Sequence, residues 1–119
     1  MANPVTWFEI IGKDAAKLQR FYKDTFAWKV GEPSGPEMGH YAMVDNEGQG
    51  IGGGIGGAMD GQSRTTIYIQ VDDPQVYLDK VNANGGKTVM PVTTIPGVNV
   101  TFAMFSDPEG NVVGLLKAM

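Results

Sequence analysis

The chain has no cysteine and a single histidine, His40. The first absence excludes disulfide staples and is compatible with a reducing cytoplasm, where the protein is expected to reside. Together the two absences exclude a metal site built from two imidazoles, or from thiolates, of one subunit. Positive charge is also scarce: nine Lys and Arg stand against thirteen Asp and Glu, for a net charge of −4. A nucleic-acid or anionic-membrane surface needs clustered cations, so neither partner is expected. No apolar run is long enough to cross a bilayer. Met1 to Val5 lacks the basic start and apolar stretch of a signal peptide. The 119 residues, 42% of them hydrophobic, are expected to form a single domain that buries its core without staples.

What is present is a near-duplication. Tyr41-Ala42-Met43-Val44-Asp45-Asn46-Glu47-Gly48 returns as Phe102-Ala103-Met104-Phe105-Ser106-Asp107-Pro108-Glu109-Gly110. Before each copy lie a short apolar run, an acidic residue and a helical pattern. A unit of about 60 residues exceeds a solenoid repeat and fits two similar modules, about 1–58 and 65–119. The polar stretch Met59 to Arg64 reads as their linker.

In the first module Val5 to Ile11 alternates as a half-buried strand does. Asp14 is placed to cap a helix over Ala15 to Thr25, with Leu18, Phe21, Tyr22 and Thr25 as its apolar stripe. Strands are expected at Trp28–Val30, His40–Val44 and Gln49–Ile55. In the second module Thr66 to Val71 alternates, and Asp73-Pro74 starts a helix that Asn84-Gly85-Gly86 ends. Strands follow at Lys87–Val92, Val98–Phe105 and Asn111–Leu116, the last two joined by the turn Asp107-Pro108-Glu109-Gly110. The fold class predicted is α+β: two βαβββ modules whose curved mixed sheets enclose a cavity, with helices on the outer faces.

Three segments resemble the vicinal oxygen chelate superfamily, which includes glyoxalase I, extradiol dioxygenases and bleomycin-resistance proteins. Phe21-Tyr22-Lys23-Asp24-Thr25-Phe26-Ala27-Trp28 looks like the family's helix exit, and Asp107-Pro108-Glu109-Gly110-Asn111 like its characteristic turn. Val71-Asp72-Asp73 before a helix ending Gly85-Gly86 is similar as well. The resemblance implies a homodimer with pockets at the subunit interface. In the family's enzymes it also implies a divalent metal, held at positions that here are Trp7, Thr66, Gly114 and a glycine near Gly52. The last is taken as the repeat partner of Gly114. None offers imidazole, thiolate or carboxylate, so no metal and no cofactor are expected.

If Phe8, Ile10, Ile67 and Ile69 pack under the helices, then Trp7, Glu9, Thr66, Tyr68 and Gln70 face the cavity. Indole and phenol offer flat apolar surface for a planar ligand, and Glu9 and Gln70 could fix its polar groups. The alternative is that Trp7 and Tyr68 merely fill the space of a metal. Glu9 is also a candidate general base, because a carboxylate in an apolar wall is poised to take a proton.

His40 reads as an exposed loop residue. Gly48-x-Gly50-x-x-Gly53, with Asp73 about 20 residues on, matches a dinucleotide fingerprint only formally, because no amphipathic helix follows it. The glycine run instead suggests a strand where a ligand or another backbone comes close. Met38, Met43, Met90 and Met104 are expected in the core or pocket wall.

The function expected is binding of a small organic molecule without a metal. The alternative is a lyase, isomerase or dioxygenase acting on a small oxygenated or thiol-conjugated substrate.

Overall fold

The computed structural model describes residues 2–118, which divide into two compact units. One spans Trp7–Thr66, and the other joins residues 2–6 to residues 67–118. In chain order the elements are β1 (Val5–Gly12), α1 (Ala15–Phe26), β2 (Lys29–Val30), β3 (Ala42–Asp45), β4 (Gly52–Gly57), β5 (Arg64–Val71), α2 (Pro74–Ala83), β6 (Lys87–Ile95), β7 (Val100–Ser106) and β8 (Val112–Lys117). The class is α+β, with βαβββ twice over.

In the first unit the strands run β2-β3-β4-β1, with β1 parallel to β4 and the other pairs antiparallel. The second unit repeats the pattern as β6-β7-β8-β5, with β5 parallel to β8. The sheets are mixed and curved, and unclosed.

Both helices start as their caps require. The Asp14 carboxylate accepts from the Lys17 N–H at 3.1 Å, and the Asp73 carboxylate accepts from the Gln75 N–H at 3.1 Å. Helix α2 ends at Asn84, and Gly85 follows at φ +95°, a conformation that glycine adopts without penalty. Its face contributes Leu78 to a core with Val71, Ala103, Phe105 and Leu115, flanked by Ile69, Tyr77 and Val81. Ile67 stands apart at 43% exposed, contrary to its expected place under a helix. Alternation alone put it there, but the cluster built around α2 takes Ile69 and Val71 from β5.

Helix α1 buries a different stripe from the one its apolar spacing suggests. Ala15 and Gln19 are its buried residues, Leu18 and Tyr22 are half-buried, and Phe21 and Thr25 are exposed. Gln19 is tolerated inside because its Nε2 donates to the carbonyls of His40 and Ile55, both at 2.8 Å. Those two bonds tie the helix to β4 and to the loop before β3. Phe21 instead meets Tyr22 edge-on, and Tyr22 stacks on Trp28 at 5.1 Å between ring centroids. Phe8 reaches Trp28 from β1 at 5.5 Å.

The glycines of β4 are cut to fit aromatic rings. A Cβ on Gly53 would strike the Phe8 ring on one face of the strand, and a Cβ on Gly54 would strike the Tyr41 ring on the other. Gly114 of β8 lies under the Tyr68 ring in the same way. Register identifies the glycine near Gly52 that is the repeat partner of Gly114. Glu9 and Met43 flank Gly54 as Tyr68 and Met104 flank Gly114, so Gly54 is the equivalent position. The connection from Gly48 into β4 is longer than that from Gly110 into β8, which moves the register along the strand.

Candidate functional site

The face of the first unit's sheet turned away from α1 carries an open hollow of about 540 Å³. Four strands contribute to its lining: Trp7 from β1, Gly52 from β4, Met43, Val44 and Asp45 from β3, and Lys29 and Val30 from β2. Gly31 and Asn46 complete it.

Trp7 and Gly52 are direct partners across the parallel ladder. With no Cβ at Gly52, the indole lies close over the strand; a Cβ there would sit 3.1 Å from the ring. The indole Nε1 donates to Tyr41 Oη at 3.0 Å, and the Tyr41 ring covers Gly54 in turn. Two aromatic side chains are thus held on a glycine floor by one hydrogen bond between them. Met43, 56% exposed, stands beside them as an apolar wall that can adapt to a ligand's shape.

The other end of the hollow is polar and charged. Lys29 and Asp45 are ladder partners. The Lys29 ammonium lies 3.5 Å from Glu47 Oε2. Asp45 Oδ1 accepts from the Glu47 N–H at 2.8 Å. The amide of Asn46 is committed to its own turn: Nδ2 donates to Gly50 O at 2.8 Å, and Oδ1 accepts from Gly48 N at 2.9 Å.

Of the five residues singled out from the sequence, the hollow takes only Trp7. Glu9 and Gln70 are half-buried, and Tyr68 is buried over Gly114. Thr66 is 2% exposed, and its Oγ1 has no hydrogen-bond partner in the structure. The lining residues Lys29, Asp45 and Asn46 are not among those five. Alternation along β3 already set Asp45 on the face of Met43, but nothing local marked the strands that would flank them. Of the four methionines, Met43 is pocket wall and Met104 is buried, while Met38 and Met90 are exposed. His40 is exposed, at φ +52°. The formal dinucleotide fingerprint ends in β4 rather than in a helix.

A divalent metal does not fit these residues. Trp7, Thr66, Gly114 and the glycine at 52 or 54 present indole, hydroxyl and bare backbone. Among the described residues no group of three or more His, Cys, Asp or Glu comes together to hold an ion.

Outside the hollow, the turn after β7 holds a carboxylate in place. Asp107 accepts from the Asn111 side chain and backbone N–H, each at 2.9 Å, and from the Glu109 N–H at 2.9 Å. These bonds, the Asn111 side chain foremost, hold its carboxyl below the usual carboxylate range. Among the described residues, no helix is long and apolar enough to cross a membrane.

Comparison with known proteins matches residues 5–115 to the family described as Glyoxalase/Bleomycin resistance protein/Dioxygenase superfamily. CFP32 of Mycobacterium tuberculosis, provisionally named a glyoxylase, is 30% identical over 117 residues. That match covers 94% of this chain but 44% of the relative, so the chain spans less than half of that relative's length. A glyoxylase-like domain-containing protein of Didymella fabae is 29% identical over 112 residues, covering 90% of this chain and 88% of that protein. Among solved structures, the methylmalonyl-CoA epimerase of Mycobacterium tuberculosis superposes with a TM-score of 0.72 at 12% identity. It covers 97% of this chain and 87% of its own. A superfamily member from Vibrio splendidus 12B01 gives 0.69 at 15% identity, covering 98% and 100%. At such identities the structures share the fold.

Proposed function

The chain belongs to the Glyoxalase/Bleomycin resistance protein/Dioxygenase superfamily, and from that premise we propose that it binds a small organic molecule without a metal. The observation that carries this reading is the hollow over Trp7, Gly52 and Met43, whose volume of about 540 Å³ suits a small ligand. An indole fixed flat by Tyr41 is a stacking platform, and the charged end supplies orientation. The poor donor set at the positions expected to hold an ion supports binding over metal chemistry. The chain acts in the cytoplasm as a homodimer in this reading, and its two units serve one function. Native mass spectrometry giving only monomer at micromolar concentration would remove the dimer.

A thermal-shift screen of small planar compounds tests the proposal, because a ligand that binds only the folded state must stabilise it. The effect is about 2.7 kcal/mol at a hundred times its Kd. Hits should raise the melting temperature of the parent protein and lose that shift in Trp7→Leu. A broad screen with no hit refutes the reading.

A second reading, catalysis on a small oxygenated or thiol-conjugated substrate, is favoured by the glyoxylase names of the relatives. Glu9 would then be its proton acceptor. A stoichiometric divalent ion in protein purified without added metal would favour it over the first.

A further inference from the structure

The charged end of the hollow carries two carboxylates and one ammonium. Lys29 stands across the ladder from Asp45, while its Nζ lies 3.5 Å from Glu47. Whichever carboxylate it serves, the three side chains sum to one negative charge. The Lys29–Glu47 and Arg64–Asp60 ion pairs both leave Asp45 out. Asn46 carries no charge to offset it, and its side chain braces the turn, with Nδ2 donating to Gly50 O and Oδ1 accepting from Gly48 N. The opposite wall is the Trp7 indole with the exposed Met43 thioether, both polarizable and apolar. An aromatic face attracts a cation through its quadrupole, and a carboxylate attracts it through its charge.

We infer that the hollow takes an organic cation: an amine or quaternary ammonium carried on an apolar or aromatic body. The cationic head sits between Asp45 and the indole, and the body lies along Met43 and Val30. A bare inorganic cation would leave the apolar wall uncovered, and an anion would meet the surplus carboxylate. This inference rests on the hollow being a ligand site.

The test titrates three probes of one shape class into the intact protein, following the Trp7 indole N–H by NMR. They are benzyltrimethylammonium, its neutral carbon isostere neopentylbenzene, and 3-phenylpropionate. The cation should bind about tenfold more tightly than the isostere, and the preference should shrink as salt is added. Asp45→Asn keeps an oxygen for the Glu47 N–H and so preserves the turn, but should erase most of the preference. Glu47→Gln should do the same by freeing Lys29 for Asp45. Equal affinity of cation and isostere, a preference for the carboxylate, or a preference that survives Asp45→Asn would each overturn the assignment while leaving the hollow as a binding site. If no probe moves the Trp7 resonance, the binding reading itself fails and takes this inference with it.

Discussion

Adding a single methyl group at Gly54 should do more damage than its size suggests. A Cβ on Gly54 overlaps the Tyr41 ring at Cε1, Cζ and Oη, so the ring must swing off β4. The swing breaks the Trp7 Nε1 to Tyr41 Oη bond of 3.0 Å and uncovers the ring. Forced repacking of this kind costs about 1–3 kcal/mol. The lost hydrogen bond adds about 0.5–1.5 kcal/mol. Replacing glycine within a strand returns about 0.5–1 kcal/mol of backbone entropy. Gly54→Ala should therefore destabilise the protein by about 0.5–4 kcal/mol, read as a lower urea midpoint at unchanged slope. The decisive control is Tyr41→Ala, which removes the obstacle. In that background Gly54→Ala should be neutral or stabilising, so the sign of the effect reverses across the double-mutant cycle. Equal stability of Gly54→Ala and parent, with Tyr41 in place, would refute the account of why this strand is glycine.

Gln19→Leu keeps the volume but strips two donors from α1, leaving the buried Ile55 carbonyl without its partner. A loss of about 2–4 kcal/mol in urea denaturation is expected, and a loss below half a kcal/mol would mean the bonds are not formed in solution. Asp107 gives a pH dependence of known sign. Its folded-state carboxyl titrates below the ordinary 3.8, so it contributes stability above that pH and loses it as pH falls through the lower folded value. Urea midpoints measured down through this acid range should fall more steeply for the parent than for Asp107→Asn, and identical slopes would show that the turn does not hold its carboxylate.

Much of the architecture is written in local sequence. Asp14 and Asp73 mark both helix starts because a cap is satisfied by N–H groups two or three residues away. The strand alternations and the turn at Asp107 are likewise short-range, and the duplicated segments announce two modules of the same order. Gln19 shows where that reading fails. Spacing ranked Phe21 above it for the core, yet two distant carbonyls, one on β4 and one in the loop before β3, make a glutamine the better buried residue. The glycine run on β4 could be recognised as a place of close approach. Only the register, however, shows that Phe8, Trp7 and Tyr41 are what approach it.

The order of the elements, the family and the poverty of metal donors are legible along the chain, because each depends on residue identity or on near neighbours. Which side chains line the hollow depends instead on how the strands pair. Lys29, Asp45 and Trp7 lie far apart in sequence and meet only once the strand order and register are set. A shift of one residue in either pairing would turn a different set of side chains toward the same face.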